Sequence, residues 1–100
     1  MSAHHVTDLD LERALGHSVS ESQVQAINQL LDHVAAYVRT WKARKWRSQG
    51  HLTTVMQNAR QRFLKIVPRD ESPNAWDVCT LLLEAAEFQR APIWASSATA

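Results

Sequence analysis

The sequence predicts an all-α protein, and three observations carry that expectation. Breakers are rare: glycine occurs only at positions 16 and 50 and proline only at 68, 73 and 92 of the 100 residues, which divides the chain into four helix-length pieces. Apolar residues recur at spacings of three and four rather than two, most clearly at Val24, Ile27, Leu31, Val34, Val38 and Trp41. Capping residues stand just before these periodic runs, and no segment reads as a strand. The expected fold is a four-helix domain over residues 1–92, with one long amphipathic central helix, a short N-terminal helix and a C-terminal tail at 93–100.

The first piece is expected to start at Thr7, whose hydroxyl can cap it while Val6 and Leu11 occupy the two staple positions, and to stop at Gly16. Ser20 opens the second helix, with Gln23 completing a capping box and Val19 and Val24 bracketing the cap. Its seam, widened by Leu30 and Tyr37, predicts a helix reaching about Arg47, where Ser48-Gln49-Gly50 ends it with Gly50 left-handed. A third helix then runs from about Leu52 to the block at Pro68, with Leu52, Val55, Met56, Ala59, Phe63 and Ile66 on one face. Gln57, Asn58, Arg60, Gln61 and Arg62 fall largely away from that face. Ser72-Pro73 reads as a cap followed by proline at the first helical position of a fourth helix. That helix is apolar almost all round (Val78, Cys79, Leu81, Leu82, Leu83, Ala85, Ala86, Phe88) and is expected to end at Pro92. The tail that follows holds one large side chain, Trp94, read as an anchor on a neighbouring subunit.

Composition narrows the function classes. With 45% hydrophobic and 21% charged residues the chain is expected to fold around one core, and 100 residues leave little for a deep substrate cleft beside it. No apolar run approaches the roughly 18 to 20 residues of a membrane span, and Met-Ser-Ala-His-His has neither region of a secretion signal. A cytoplasmic location is expected, or the virion if the chain is phage-encoded. The single cysteine, Cys79, reads as a small buried hydrophobe.

Charge is the strongest functional signal. No acidic residue lies between Asp32 and Asp70, yet that stretch holds nine basic ones: Arg39, Lys42, Arg44, Lys45, Arg47, Arg60, Arg62, Lys65 and Arg69. Each flank carries a net charge of minus four, so the overall +1 conceals a strongly polarised molecule. Cations of this density suit a polyanion, and Trp46, off the apolar seam among Arg44, Lys45 and Arg47, is placed to stack on a base. The expected nucleic-acid contacts are Arg39, Lys42, Arg44, Lys45, Trp46, Arg47, Gln57, Arg60, Arg62, Lys65 and Arg69, with DNA the first partner considered. The alternative is a solvated cationic helix end set against the helix dipole.

Other chemistries find less support. Gln, Asn and Arg on the third helix are side chains that read base edges, but a helix-turn-helix with Gly50 in its turn would bury Lys45, Gln49 and His51. The histidines at 4, 5, 17, 33 and 51 lack zinc-site spacing, so no metal site and no cofactor is expected. Neither a nucleophile elbow nor a glycine-rich phosphate loop is present, and no catalytic residue is assigned.

The run Asp8-Leu9-Asp10-Leu11-Glu12-Arg13-Ala14-Leu15-Gly16, then Val19-Ser20-Glu21-Ser22-Gln23, then Leu30 to Arg39 with its Leu-Leu-Asp centre resembles the small head-to-tail connector (adaptor) proteins of long-tailed bacteriophages. Val55 to Pro68 extends the resemblance, which covers about residues 7–68. It implies a ring-forming homo-oligomer between portal and tail, around the DNA channel, whose opposite charges join neighbouring subunits. A third reading is a small inhibitor or adaptor whose basic surface grips an acidic site on a phage or host protein.

Overall fold

The computed structural model describes residues 4–44 and 48–90, so Lys45, Trp46, Arg47, Pro92 and Trp94 lie outside the described residues. Among the described residues four helices make up the fold: α1 (Asp8–Leu15), α2 (Glu21–Ala43), α3 (Gln49–Ile66) and α4 (Ala75–Glu87). Among the described residues there is no strand, and no helix is long and apolar enough to cross a membrane.

The two N-terminal caps follow from local chemistry. Thr7, extended at φ −91°, accepts through its side chain from the Asp10 amide, and Val6 and Leu11 are both buried beside it. Gly16 closes α1 in the left-handed region at φ 84°, its amide donating to the Glu12 carbonyl at 2.8 Å. Ser20 and Gln23 then form a reciprocal capping box, Ser20 Oγ accepting from the Gln23 amide and Gln23 Oε1 from the Ser20 amide. The Gln23 side-chain amide also donates to the Ile66 carbonyl at 3.0 Å, tying the start of α2 to the end of α3.

Later boundaries differ from those expected, each for an identifiable reason. The second helix ends at Ala43, not Arg47, because Arg44 is already extended at ψ 140°. Ser48 is not part of a helix end; it caps α3, accepting from the His51 amide at 3.2 Å, so Gly50 falls in the first helical turn and is not left-handed. Ser72 does not cap α4. It is fully buried and its hydroxyl is engaged by His17 Nε2, so Pro73 lies in a turn and α4 starts at Ala75 behind Asn74 without a side-chain cap. Nor does α4 run on to Pro92. Gln89 turns left-handed at φ 52°, the Arg90 amide reaches the Ala85 carbonyl at 2.9 Å and the Gln89 amide reaches Ala86 at 3.3 Å, which is a Schellman ending with glutamine where glycine is the usual choice.

No single helix is central. α2, α3 and α4 pack on one another to similar extents, and α1 rests on α2 and α4. The overall extents of 43 × 33 × 20 Å correspond in the thinnest direction to two helix layers about 10 Å each. Ile27, Leu30, Leu31, Val34, Ala35 and Val38 of α2 meet Leu52, Ala59 and Phe63 of α3 and Val78, Cys79, Leu82, Leu83 and Ala86 of α4 in one core. Phe63 is the largest fully buried side chain among the described residues, so its truncation to alanine would cost about 3 to 5 kcal/mol, a sizeable share of a small domain's stability. Burial pushes the Cys79 thiol up to about 11, partly countered by the Arg60 charge, so Cys79 is a packed neutral group.

Candidate nucleic-acid interface

With Leu52, Ala59 and Phe63 committed to the core, the helical period turns Gln57, Asn58, Gln61, Arg62 and Lys65 outward, and all five are exposed. These positions form one stripe along α3. A groove of about 400 Å³ borders it on the α2 side, lined by His33, Val55, Asn58, Ala59, Gln61, Arg62 and Lys65. On the α4 side a second groove of about 570 Å³ is lined by Gln57, Arg60, Gln61, Leu64 and Trp76.

Trp76 is the residue that sequence reasoning missed. It stands in the first turn of α4, 44% exposed, with the Arg60 guanidinium 4.3 Å from its ring centroid and that of Arg69 at 5.6 Å. Arg60 also donates to Thr80 Oγ1 at 2.7 Å, while that hydroxyl donates to the Trp76 carbonyl at 3.0 Å. Arg60 is therefore half-buried and spent largely on joining α3 to α4, unlike Arg62 and Lys65 on the open stripe. The only sequence signal for Trp76 was an aromatic residue beside the cap of an apolar helix; its nearer arginine partner, Arg60, stands on a different helix.

The remaining described cations sit elsewhere. Arg39 and Lys42 are exposed near the end of α2, Lys42 Nζ lying 5.7 Å from the centroid of the exposed Phe88 ring, and Arg44 is the exposed C-cap. Helix α3, with 18 residues, is about 27 Å long, and its basic residues, Arg60, Arg62 and Lys65, all lie in its second half. Ion pairs among the described residues are His4–Asp32, His5–Asp32 and Arg90–Glu84, and none uses a cation from the block.

Trp41 is only half-buried, where the seam predicted a core residue. Its indole N–H donates to the Ser48 carbonyl at 2.9 Å, which spans the α2–α3 connection. Gln49 and His51, which a helix-turn-helix would bury, are exposed.

Two histidine clusters are also formed by the fold. His17 Nδ1 donates to the Ser18 carbonyl at 2.9 Å, so in the neutral ring Nε2 is the acceptor and the Ser72 hydroxyl the donor. A serine this buried has no access for a substrate, and its contact ties two loops together. His4 and His5 both bring Nε2 to 2.7 Å from Asp32 Oδ1, a convergence that residue spacing alone did not reveal. Burial raises the Asp32 pKa, but the hydrogen bonds from the two histidines and their charge outweigh it and hold the carboxyl below its ordinary value. No family model matches the chain, and no curated protein or solved structure is significantly similar to it.

Proposed function

We propose that this chain is a non-enzymatic nucleic-acid-binding protein of the cytoplasm that lies along a phosphate backbone, DNA in the first instance, through the outer stripe of α3 and the basic end of α2. The observation that carries this reading is the exposed row Gln57, Asn58, Gln61, Arg62 and Lys65, in a 37-residue interval without one acidic side chain and without an ion pair among the described residues. Arg62 and Lys65 supply charge for phosphates, the amides supply hydrogen bonds, and the half-exposed Trp76 offers a stacking face beside Arg69. The stripe from Gln57 to Lys65 is about 12 Å long, which matches about three to four base pairs of duplex.

The test is anisotropy of a short labelled duplex, and of its single strand, titrated with salt. Affinity should fall steeply between roughly 50 and 200 mM, because each phosphate neutralised releases condensed counterion. A flat profile for both probes would refute the reading.

A second reading, a connector subunit in an oligomeric ring, draws on Leu9. It is 52% exposed on α1 beside Asp8, an apolar and acidic surface suited to a neighbour's basic block. Solution mass with and without the duplex separates the two: a monomer that shifts on DNA supports the first, and a large assembly that ignores it supports the second.

A further inference from the structure

Asn28 and Asp32 stand one turn apart on the same side of α2, and together they receive the chain that precedes α1. The Asn28 side chain pairs with the Val6 backbone in both directions, accepting from its amide and donating to its carbonyl, each at 2.9 Å. Val6 itself is buried. This clamp fixes the backbone next to His5 without help from either imidazole, so the ring positions are set before anything binds to them. One turn further along α2, Asp32 Oδ1 meets Nε2 of both rings at 2.7 Å. The ring centroids are 5.2 Å apart and the planes nearly perpendicular at 86°, so the two nitrogens approach one point from different directions.

We infer that His4 Nε2, His5 Nε2 and Asp32 Oδ1 bind a borderline divalent transition-metal ion, zinc being the representative, and thereby fasten the N-terminal segment to α2. Two imidazoles and one carboxylate are a donor set suited to such ions, and the three ligand atoms already lie within 4.8 Å of one another. Zinc held tetrahedrally at about 2.0 to 2.1 Å from each ligand places the ligands roughly 3.3 to 3.4 Å apart. The two N···O separations therefore need to open by well under 1 Å. Asp32 is half-exposed, which gives its carboxylate room for that adjustment and leaves the outer side open to water as a further ligand.

Hydrogen bonding alone accounts poorly for His4. Its side chain is 6% exposed, yet its buried Nδ1 has no partner among the described residues, so the burial of the ring rests on what Nε2 binds. Coordination to an ion is a stronger tie than a hydrogen bond to an oxygen shared with His5. The ion also replaces the competition of two donors for one oxygen by a single centre that all three groups bind.

The experiment uses the full, untagged chain, stripped with a chelator and titrated with Co²⁺ and then Zn²⁺ near neutral pH. One equivalent of Co²⁺ should saturate visible d–d bands, Zn²⁺ should displace it, and Zn²⁺ should raise the melting temperature. His5→Ala and Asp32→Asn, both at accessible positions, should keep the helical circular dichroism, lose affinity by at least about tenfold and lose the thermal shift. His33→Ala and His51→Ala should bind as the parent does. Absence of saturable Zn²⁺ binding below roughly 1 mM would overturn the inference, as would equal losses in the His33 or His51 variants. Should His4→Ala fail to fold, the His5 and Asp32 variants still decide the matter.

Discussion

Replacing Arg62 and Lys65 together by alanine isolates the phosphate contacts of α3 from its role in the core. Both side chains are exposed and form no ion pair with a described residue, so the fold should tolerate their loss. Each phosphate contact contributes about 0.9 to the slope of log affinity against log salt on duplex DNA, so the double variant should flatten that slope by about 1.8. With the salt-independent part unchanged, the parent and variant converge near 1 M salt and differ by about 60-fold near 0.1 M, equivalent to about 2.5 kcal/mol. Anisotropy titrations at four or five salt concentrations, with thermal melts as the control for folding, measure both quantities. The decisive quantity is the slope. A variant that loses affinity equally at every salt concentration, or whose slope matches the parent's, shows that these cations do not lie on phosphates, and the outer stripe of α3 then has another partner. Gln57→Ala and Asn58→Ala add a further distinction, since they should alter preference among sequences only if α3 enters a groove.

Four other perturbations test the fold and its charges. Gly16→Ala should destabilise by about 1 to 2 kcal/mol because φ 84° is strained for any side chain even though no atom lies within 4 Å of the new Cβ, whereas Gly50→Ala should stabilise by up to about 1 kcal/mol; equal effects in melts would contradict the assigned helix start. Trp41→Phe removes the indole donor to Ser48 and should cost about 1 kcal/mol, a fall of about 4 to 8 °C in Tm, with an unchanged Tm counting against that hydrogen bond. Cys79 should resist iodoacetamide at neutral pH until denaturant is added, since the thiol is buried and its pKa stands at about 11; rapid native labelling would contradict its burial. Because the Asp32 pKa is lowered on folding, its carboxylate contributes stability that is complete above the ordinary value of 3.8 and lost as pH falls through the lower folded value, so the penalty of Asp32→Asn should shrink in acid; denaturant melts showing a constant penalty would refute this.

What the sequence made legible was local. Thr7 and Ser20 are caps whose partners lie three residues away, and Gly16 closes its helix through its own amide, so each could be read from a few neighbouring letters. The apolar seam of α2 was readable for the same reason, its period being a property of one helix. Errors arose where a residue serves a distant partner or fits two local roles. Ser48-Gln49-Gly50 has the letters of a helix end and of a helix start, and the extended backbone at Arg44, which no glycine announces, decides between them. Ser72 has the right neighbours for a cap, but His17 stands 55 residues away and takes its hydroxyl. The candidate site divides in the same way: Gln57, Asn58, Gln61 and Arg62 were placed outward by periodicity, while Trp76 beside Arg60, and two histidines on Asp32, come together only because separate segments pack.

The attachment of α1 has a consequence for how the molecule opens. Besides the apolar contacts of Leu11 and Leu15, the N-terminal part is held by polar clasps: the Val6 backbone on Asn28, the Asn74 side chain on the Ala14 carbonyl, and His17 on Ser72. The three longer helices pack far more extensively on one another than on α1, so residues 4–18 can undock as one unit while the remainder stays folded. Native-state hydrogen exchange should then show two tiers of protection, with the amides late in α1 exchanging through a common partial opening and those of Val34, Phe63 and Leu82 only through global unfolding. Denaturant concentrations too low to melt the three-helix body should merge α1 amides into a single isotherm, and that isotherm would be the signature of a detachable N-terminal latch.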